Sequence, residues 1–94
     1  MPLSGKQRRV LRARAHHLDP VVSIGARGLT DAVIAELEVA LDSHELVKLR
    51  IAADDRKQRE SIIERLCRRT NAEFVQRIGH TAVVYRERPE EQTR

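Results

Sequence analysis

The 94-residue sequence predicts one α/β domain, in which three helices pack on a mixed four-stranded sheet in the order α-β-α-β-α-β-β. Three segments repeat apolar residues at helical spacing, and four shorter runs alternate or are rich in β-branched residues. The last two runs are separated only by Gly79-His80, which favours a tight hairpin. A right-handed crossover would make the first two strands parallel, so the sheet should contain both kinds of strand pair.

The first helix is predicted from Ser4 through Leu18. Ser4 and Gln7 have the spacing of a capping box, and Asp19-Pro20 ends the helix. On a helical wheel the apolar residues gather on one side and a basic stripe occupies the other. The apolar side holds Leu3, Leu11, Ala15 and Leu18, with Val10 at its margin, and the basic stripe holds Lys6, Arg8, Arg9, Arg12 and His16.

The positive charge is concentrated at the N-terminus. The net charge is +4, and residues 1–18 contribute +5 without a single acid, so the remainder is close to neutral. This asymmetry indicates a polyanionic partner, either nucleic acid or an anionic membrane. A membrane is less favoured, because the apolar side of the helix is thin and has no aromatic anchor. A merely solvated surface usually interleaves acids with its bases.

A glycine-bounded loop follows the predicted strand Val21 to Ile24. In Gly25-Ala26-Arg27-Gly28, both glycines permit positive φ and a close approach of another backbone. Thr30 is a good N-cap for the next helix, whose free N–H groups would suit phosphate. Arg27 adds a cation at the tip of the loop. An ordinary tight turn remains the alternative, since a lone GxxG motif has low specificity.

The second helix is predicted from Asp31 to about His44, and its charged side chains are acidic. Glu36, Glu38 and Asp42 would repel phosphate from the body of this helix. Glu38 and Asp42 could together bind a metal, but no third ligand is placed to help, so no metal site is expected.

The next strand, Leu46 to Ala52, places Val47, Leu49 and Ile51 on one face, and Lys48 and Arg50 on a cationic outer face. Asp54 is then predicted to cap a third helix to about Thr70. Asn71 can end that helix in left-handed geometry.

The last two strands are predicted over Phe74 to Ile78 and Thr81 to Arg86. Strict alternation across the turn places Phe74, Ile78, Val83 and Tyr85 on one face, and Val75, Ala82 and Val84 on the other with Arg77. Both faces are apolar, so the pattern does not decide which one meets the helices. Residues 1–86 should form the domain, and residues 87–94 a polar, disordered tail.

Catalytic signatures are absent from the sequence, which has no HExxH, CxxC, P-loop or GxSxG motif. The four histidines fall at no recognised ligand spacing. The single cysteine, Cys67, fits a reducing cytoplasm, and no apolar run reaches membrane-spanning length. We therefore expect a cytoplasmic protein that is not an enzyme and needs no cofactor or small-molecule substrate.

Several motifs occur together in one order. They are Leu3-Ser4-Gly5-Lys6-Gln7-Arg8-Arg9, Ala15-His16-His17-Leu18, Ile24-Gly25-Ala26-Arg27-Gly28-Leu29-Thr30, His44-Glu45-Leu46-Val47-Lys48 and Ile78-Gly79-His80-Thr81. Over residues 3–86 this order resembles the CRM domain (chloroplast RNA splicing and ribosome maturation) in its single-domain bacterial YhbY-type form. Arg77 departs from the pattern, because an apolar residue is expected there.

The resemblance implies a fold similar to the C-terminal domain of bacterial translation initiation factor three. It also implies RNA binding and association with precursors of the large ribosomal subunit. Its GxxG loop carries over onto Gly25, Ala26, Arg27 and Gly28, and its basic first helix onto Lys6, Arg8, Arg9 and Arg12.

The expected function is therefore that of a monomeric RNA-binding protein for large-subunit ribosomal RNA. The loop would hold phosphate, with the basic stripe beside it. Few aromatic residues are available for stacking, which favours structured RNA. One alternative is a protein-interaction module that uses the acidic second helix, and another is an enzyme acting on a nucleotide or phosphate ester. The predicted RNA-binding residues are Lys6, Arg8, Arg9, Arg12, His16, Gly25, Ala26, Arg27, Gly28 and Thr30.

Overall fold

A computed structural model describes residues 3–88 and confirms the predicted fold class and element order. Within that range, none of the helices is both long and apolar enough to cross a membrane. The elements are α1 (Gly5–Ala15), β1 (Val22–Ile24), α2 (Asp31–His44), β2 (Leu46–Ile51), α3 (Arg56–Thr70), β3 (Glu73–Ile78) and β4 (Thr81–Tyr85).

Side chains predicted from sequence cap two of the helix starts. At α1 the N–H of Gln7 donates to Ser4 Oγ at 3.1 Å, and Gln7 Oε1 accepts from the Ser4 N–H at 2.8 Å. At α2, Thr30 Oγ1 accepts from the N–H of Val33 at 3.1 Å. Asn71 ends α3 with φ +60°, in the left-handed conformation that was predicted.

Two helix ends differ from the predictions. The cap of α3 is Asp55, whose Oδ1 accepts from the Lys57 N–H at 3.3 Å, and Asp54 lies one residue outside it. The α-helical part of α1 ends at Ala15, where Leu18 was expected. The chain continues as a tighter turn, in which the Leu18 N–H donates to the Ala15 carbonyl at 3.0 Å.

The sheet has the order β1-β2-β4-β3, with β1 and β2 parallel and the other pairs antiparallel. Helices α2 and α3 cover one face, and α1 covers part of the other. Each face therefore has its own apolar cluster. The larger cluster joins α2 and α3 to the sheet through Ile34, Leu37, Leu41, Val47, Leu49, Ile51, Ile62, Ile63 and Leu66, among others. The smaller cluster joins α1 to the sheet through Leu11, Ala15, Leu46, Val75 and Val83.

A β-bulge in β3 corrects the predicted faces of the hairpin. Phe74 pairs with Val84, but the next paired residue of β3 is Gln76, opposite Val83, so Val75 is an extra residue. The bulge reverses the alternation. Phe74 therefore shares the α3-side face with Val84, and Val75 packs with Val83 against α1. The prediction for Phe74 and Val75 was wrong, because strict alternation contains no extra residue.

Arg77 lies on the α3 side of the sheet, at the position where an apolar residue was expected. Only 18% of its side chain is exposed, and it lines a groove beside Ile63. Its guanidinium lies 3.8 Å from Glu60 Oε2 and donates to the Gly79 carbonyl at 3.3 Å. The aliphatic stem can thus cover apolar surface while the charge keeps polar partners.

Most of the tail predicted over residues 87–94 lies outside the described residues. Of its first two residues, Arg88 contacts the domain, because its N–H donates to Glu45 Oε2 at 2.8 Å.

Candidate nucleic-acid interface

The glycine loop at the carboxyl end of β1 forms a closed turn. The N–H of Gly28 donates to the Gly25 carbonyl at 3.0 Å, and Arg27 between them is exposed. Gly28 has φ +76°, a conformation that favours glycine. Gly25 does not have positive φ, and a Cβ built on it would meet nothing within 4 Å. The conformation of the turn therefore requires a glycine at position 28 but not at position 25.

The loop offers hydrogen-bond donors. Across residues 3–88, the N–H groups of Ala26 and Arg27 donate to no backbone or side-chain acceptor. Thr30 Oγ1 is already an acceptor for α2, but its hydroxyl hydrogen can still be donated. Two amides, a guanidinium and a hydroxyl thus lie within five consecutive residues, which is an arrangement suited to phosphate oxygens.

The N-terminus of α2 itself is less suited to phosphate than the loop in front of it. Asp31, the first residue of the helix, carries a fully exposed carboxylate that lies 3.3 Å from an Arg69 nitrogen. A negative charge at this position already interacts favourably with the helix dipole. A phosphate would therefore be held by the amides of the loop and by Arg27 more readily than along the helix axis.

The predicted bases of α1 lie partly beside its contact with the sheet and partly on its exposed side. Arg8 and Arg12 flank the buried Leu11 and are half-buried, and the Arg8 Nε donates to the Phe74 carbonyl at 3.2 Å. This bond holds the Arg8 side chain close to the sheet surface. The other predicted side chains of the stripe, Lys6, Arg9 and His16, are exposed.

The basic helix and the glycine loop lie at opposite ends of the sheet. Helix α1 packs on Leu46, where β2 begins. The loop follows Ile24, which pairs with Ile51 at the far end of β2. At about 3.3 Å per residue, the distance along β2 is roughly 17 Å. A ligand that touched both the helix and the loop would have to cross the exposed part of the sheet between them.

Two bases missed as site residues occupy this part of the sheet. Lys48 and Arg50 alternate with Val47, Leu49 and Ile51, which pack beneath α2 and α3, so both bases project on the α1 face. The alternation in β2 had indicated a cationic outer face. The missing information was that this face connects the helix to the loop, which depends on the pairing of distant strands.

Within the described part of the chain, the strand residues aligned with these bases include no carboxylate, and Asp19, in the segment between α1 and β1, lines a depression together with Lys48. Arg50 is aligned with Ser23 on β1 and with Thr81 on β4, and Lys48 is aligned with Val83. Gln76 and Ile78 on β3 complete this area of the α1 face. We call the surface formed by Arg8, Arg12, Lys48, Arg50 and the loop residue Arg27 the basic face.

Acidic residues are concentrated in the other layer, where several are paired. Glu38 and Asp42 of α2 both accept from Arg86, and on α3 Glu60 pairs with Arg56 and Glu64 with Arg68. No group of three or more histidine, cysteine, aspartate or glutamate side chains is placed to hold a metal ion in residues 3–88.

Among the ionisable groups of residues 3–88, Cys67 and Tyr85 have shifted pKa values, and neither is activated by the shift. Burial, reinforced by Glu73, raises the pKa of the Cys67 thiol to about 11. Burial, with smaller contributions from Glu45 and Glu87, also raises the pKa of Tyr85. Both groups are therefore protonated at neutral pH.

The fold and the basic face define a small α/β domain with a cationic surface on one side of its sheet. The chain belongs to the CRS1/YhbY (CRM) domain family, whose model matches residues 3–86.

Relatives of known name cover nearly the whole chain. A Haemophilus influenzae protein named RNA-binding protein is 50% identical over 84 residues, which are 89% of this chain and 85% of that protein. A Pseudomonas aeruginosa protein named probable RNA-binding protein is 40% identical over 89 residues, 95% of this chain and 86% of its own length. The solution structure of a hypothetical Staphylococcus aureus protein, described as a candidate RNA-binding protein, superposes with a TM-score of 0.84 at 36% identity. That match covers 96% of this chain and 94% of the other.

Proposed function

We propose that this protein binds structured RNA through the basic face, that it associates with large-subunit ribosomal RNA or its precursor particles, and that it assists ribosome assembly without catalysing a reaction. In this proposal it acts as a cytoplasmic monomer. The ribosomal target follows from what the family resemblance implies, and the names of the relatives support RNA as the ligand.

The observation that carries the proposal is the row of cations that runs from α1 to the glycine loop. Lys48 and Arg50 lie between the bases of α1 and Arg27, so cations line the roughly 17 Å along β2. A continuous row of cations matches the backbone of a nucleic acid, which releases counterions when its phosphates are neutralised. Stacking of bases on aromatic side chains would be minor on the basic face, because Phe74 is on the opposite face and Tyr85 is half-buried beside α1.

The alternative of a protein-binding α2 has less support. Two of the acids that would form such a surface, Glu38 and Asp42, already form ion pairs with Arg86 within the domain. Glu36 is exposed, and a single acid makes a weak docking signal.

Two measurements test the proposal together. Purified protein should bind naked large-subunit rRNA, with an affinity that falls steeply as salt is raised. In cells, RNA cross-linked to the protein should be enriched in large-subunit rRNA, and the protein should sediment with precursor particles. Absence of binding to naked rRNA, combined with sedimentation through a ribosomal protein, would favour the protein-interaction alternative.

A further inference from the structure

A pocket of about 390 Å³ lies directly behind the glycine loop, on the side away from the basic face. One wall is formed by Gly25, Ala26 and Gly28 of the loop. A second wall is Ala52-Ala53, which follows β2. The third wall is a single face of α3, formed by Gln58, Ser61, Ile62 and Arg65.

The α3 wall has a specific chemical layout. Its members are spaced three and four residues apart, so they form one stripe along the helix. Ile62 is buried and forms an apolar floor, while Gln58, Ser61 and Arg65 are exposed around it. None of these three polar side chains has a hydrogen-bond or ion-pair partner within residues 3–88. By contrast, Arg56, Arg68 and Arg69 of the same helix are held in ion pairs.

We infer that this pocket receives one unstacked nucleobase from the RNA strand whose phosphate lies on the loop. This inference rests on the proposed RNA-binding function. The pocket volume lies within the range of small-ligand sites, and two of its walls consist of glycine and alanine residues, which take up little of the space. The base would lie on Ile62 and against the guanidinium plane of Arg65, which can stack on a base as an aromatic ring does. The amide of Gln58 and the hydroxyl of Ser61 would bond to its edge.

The position of the loop connects the two parts of this interface. Gly25 and Gly28 border the pocket, and Arg27 between them is exposed at the tip. A phosphate held at the loop amides therefore places the attached nucleoside beside the pocket mouth. The inferred ligand is thus an RNA with a bulged or looped-out nucleotide next to a helical stem, because an unpaired base costs little to turn outward.

The test compares three short RNA hairpins that differ at one site. The first is fully paired, the second carries a single bulged nucleotide, tried with each of the four bases, and the third carries an abasic residue at the bulge. The parent protein should bind at least one bulged hairpin about tenfold tighter than the paired and abasic hairpins, as one stacked base allows.

Two variants locate that preference in the pocket. Ser61→Leu narrows the pocket and removes its hydroxyl without changing charge, and Ser43→Leu is the matched control at an exposed position of α2. Arg65→Lys keeps the charge and removes the planar guanidinium. Ser61→Leu should abolish the preference and Arg65→Lys should reduce it about threefold, with binding to the paired hairpin and its salt dependence unchanged. Ser43→Leu should behave as the parent.

The outcomes separate this inference from the proposed function. Equal binding of the parent to bulged, abasic and paired hairpins would overturn the base pocket and leave RNA binding intact. So would a folded Ser61→Leu and a folded Arg65→Lys that both retained the full preference. Failure of the parent to bind any of the hairpins or naked rRNA would overturn the proposed function, and the base pocket with it.

Discussion

Arg86 donates a hydrogen bond of 2.9 Å to the carboxylate of Asp42, which joins the end of the last strand to α2. The same guanidinium donates to Glu38 Oε1 and to the Thr70 carbonyl, both at 2.8 Å. The Arg86 side chain is only 22% exposed, so these acceptors must offset the loss of water around its guanidinium. Part of the acidity of α2 therefore serves the stability of the domain.

Arg86→Gln should lower the free energy of unfolding by about 1 to 2 kcal/mol, because it removes charge-assisted bonds and leaves two carboxylates close together. The measurement is chemical denaturation. Glu36→Gln is the control, since Glu36 is exposed and has no ion-pair partner among the described residues. Equal stability of Arg86→Gln and the parent would show that these bonds contribute nothing net.

Neutralising the acids of α2 should leave RNA binding intact. Glu36, Glu38 and Asp42 belong to the layer opposite the basic face, so their change to Gln should not reduce affinity and could raise it slightly through long-range electrostatics. The triple variant should nevertheless unfold more easily, because Arg86 loses two partners. Affinity must therefore be measured well below its melting temperature. A large loss of affinity there would mean that α2 touches the RNA.

Local sequence signals predicted much of this fold because their causes lie within a few residues. The capping box of Ser4 and Gln7 and the left-handed Asn71 are examples. The extra residue at Val75 could not be predicted, because both faces of the hairpin are apolar and either register buries similar side chains. The bulge is decided by how α1 and α3 pack on the two faces.

The separate parts of the candidate site could be predicted from the sequence, but the surface that links the glycine loop to α1 could not. Arg27 and the bases of α1 are visible as a motif and as a charge run. Lys48 and Arg50 become part of the same surface only because β2 pairs with β1 and β4, and because α1 covers one end of that face. Such long-range pairing has no local signature in a single sequence.

The cations of the basic face, together with the exposed Arg9 of α1, should each contribute to the salt dependence of RNA binding. Changing Arg8, Arg9 and Arg12 together to Gln should reduce the slope of log affinity against log salt by about 2 to 3. Changing Lys48 and Arg50 to Gln should reduce it by about 1 to 2.

The charge-matched control for the Lys48 and Arg50 variant changes Arg56 and Arg68 to Gln. These two bases lie on α3 in exposed ion pairs, which contribute little to stability. If the control pair lowered the slope as much as Lys48 and Arg50 do, binding would depend on net charge and not on the basic face.

Cys67 should react slowly with alkylating agents in the folded protein. It lines a groove of about 690 Å³ between α3 and β3, and its pKa is raised from 9.0 to about 11, chiefly by burial. Since the thiolate is the reactive form, its fraction at pH 8 should be about a hundredfold below that of an ordinary thiol. The rate of iodoacetamide labelling, native against denatured, measures this. Labelling of the native protein as fast as of the denatured chain would contradict the raised pKa.

The high pKa of Cys67 also has a consequence for stability at alkaline pH. A raised pKa in the folded state means that folding favours the protonated thiol, so this contribution is complete below pH 9 and is lost as pH rises toward 11. Cys67→Ala should therefore weaken the dependence of unfolding on pH between 9 and 11. An unchanged dependence would mean that other groups account for it.

The glycine loop allows ligand contact to be distinguished from turn geometry. Arg27 is exposed, so Arg27→Ala should change the unfolding free energy by less than about 0.5 kcal/mol. If the loop holds phosphate, the same change should weaken RNA binding by roughly tenfold, because it removes a charge-assisted contact. Binding of this variant at the parent level would leave the loop as a simple turn.

Substituting each glycine of the loop in turn separates the role of the loop in stability from its role in RNA binding. Gly28→Ala should cost around 1 kcal/mol of stability, because φ is +76° there. Gly25→Ala should cost almost none, since its φ is not positive and its Cβ would enter open space. If RNA is held at the loop as proposed, the added methyl group should crowd it. Gly25→Ala should therefore melt like the parent and bind RNA more weakly, whereas parent-like binding would show that no ligand comes close to position 25.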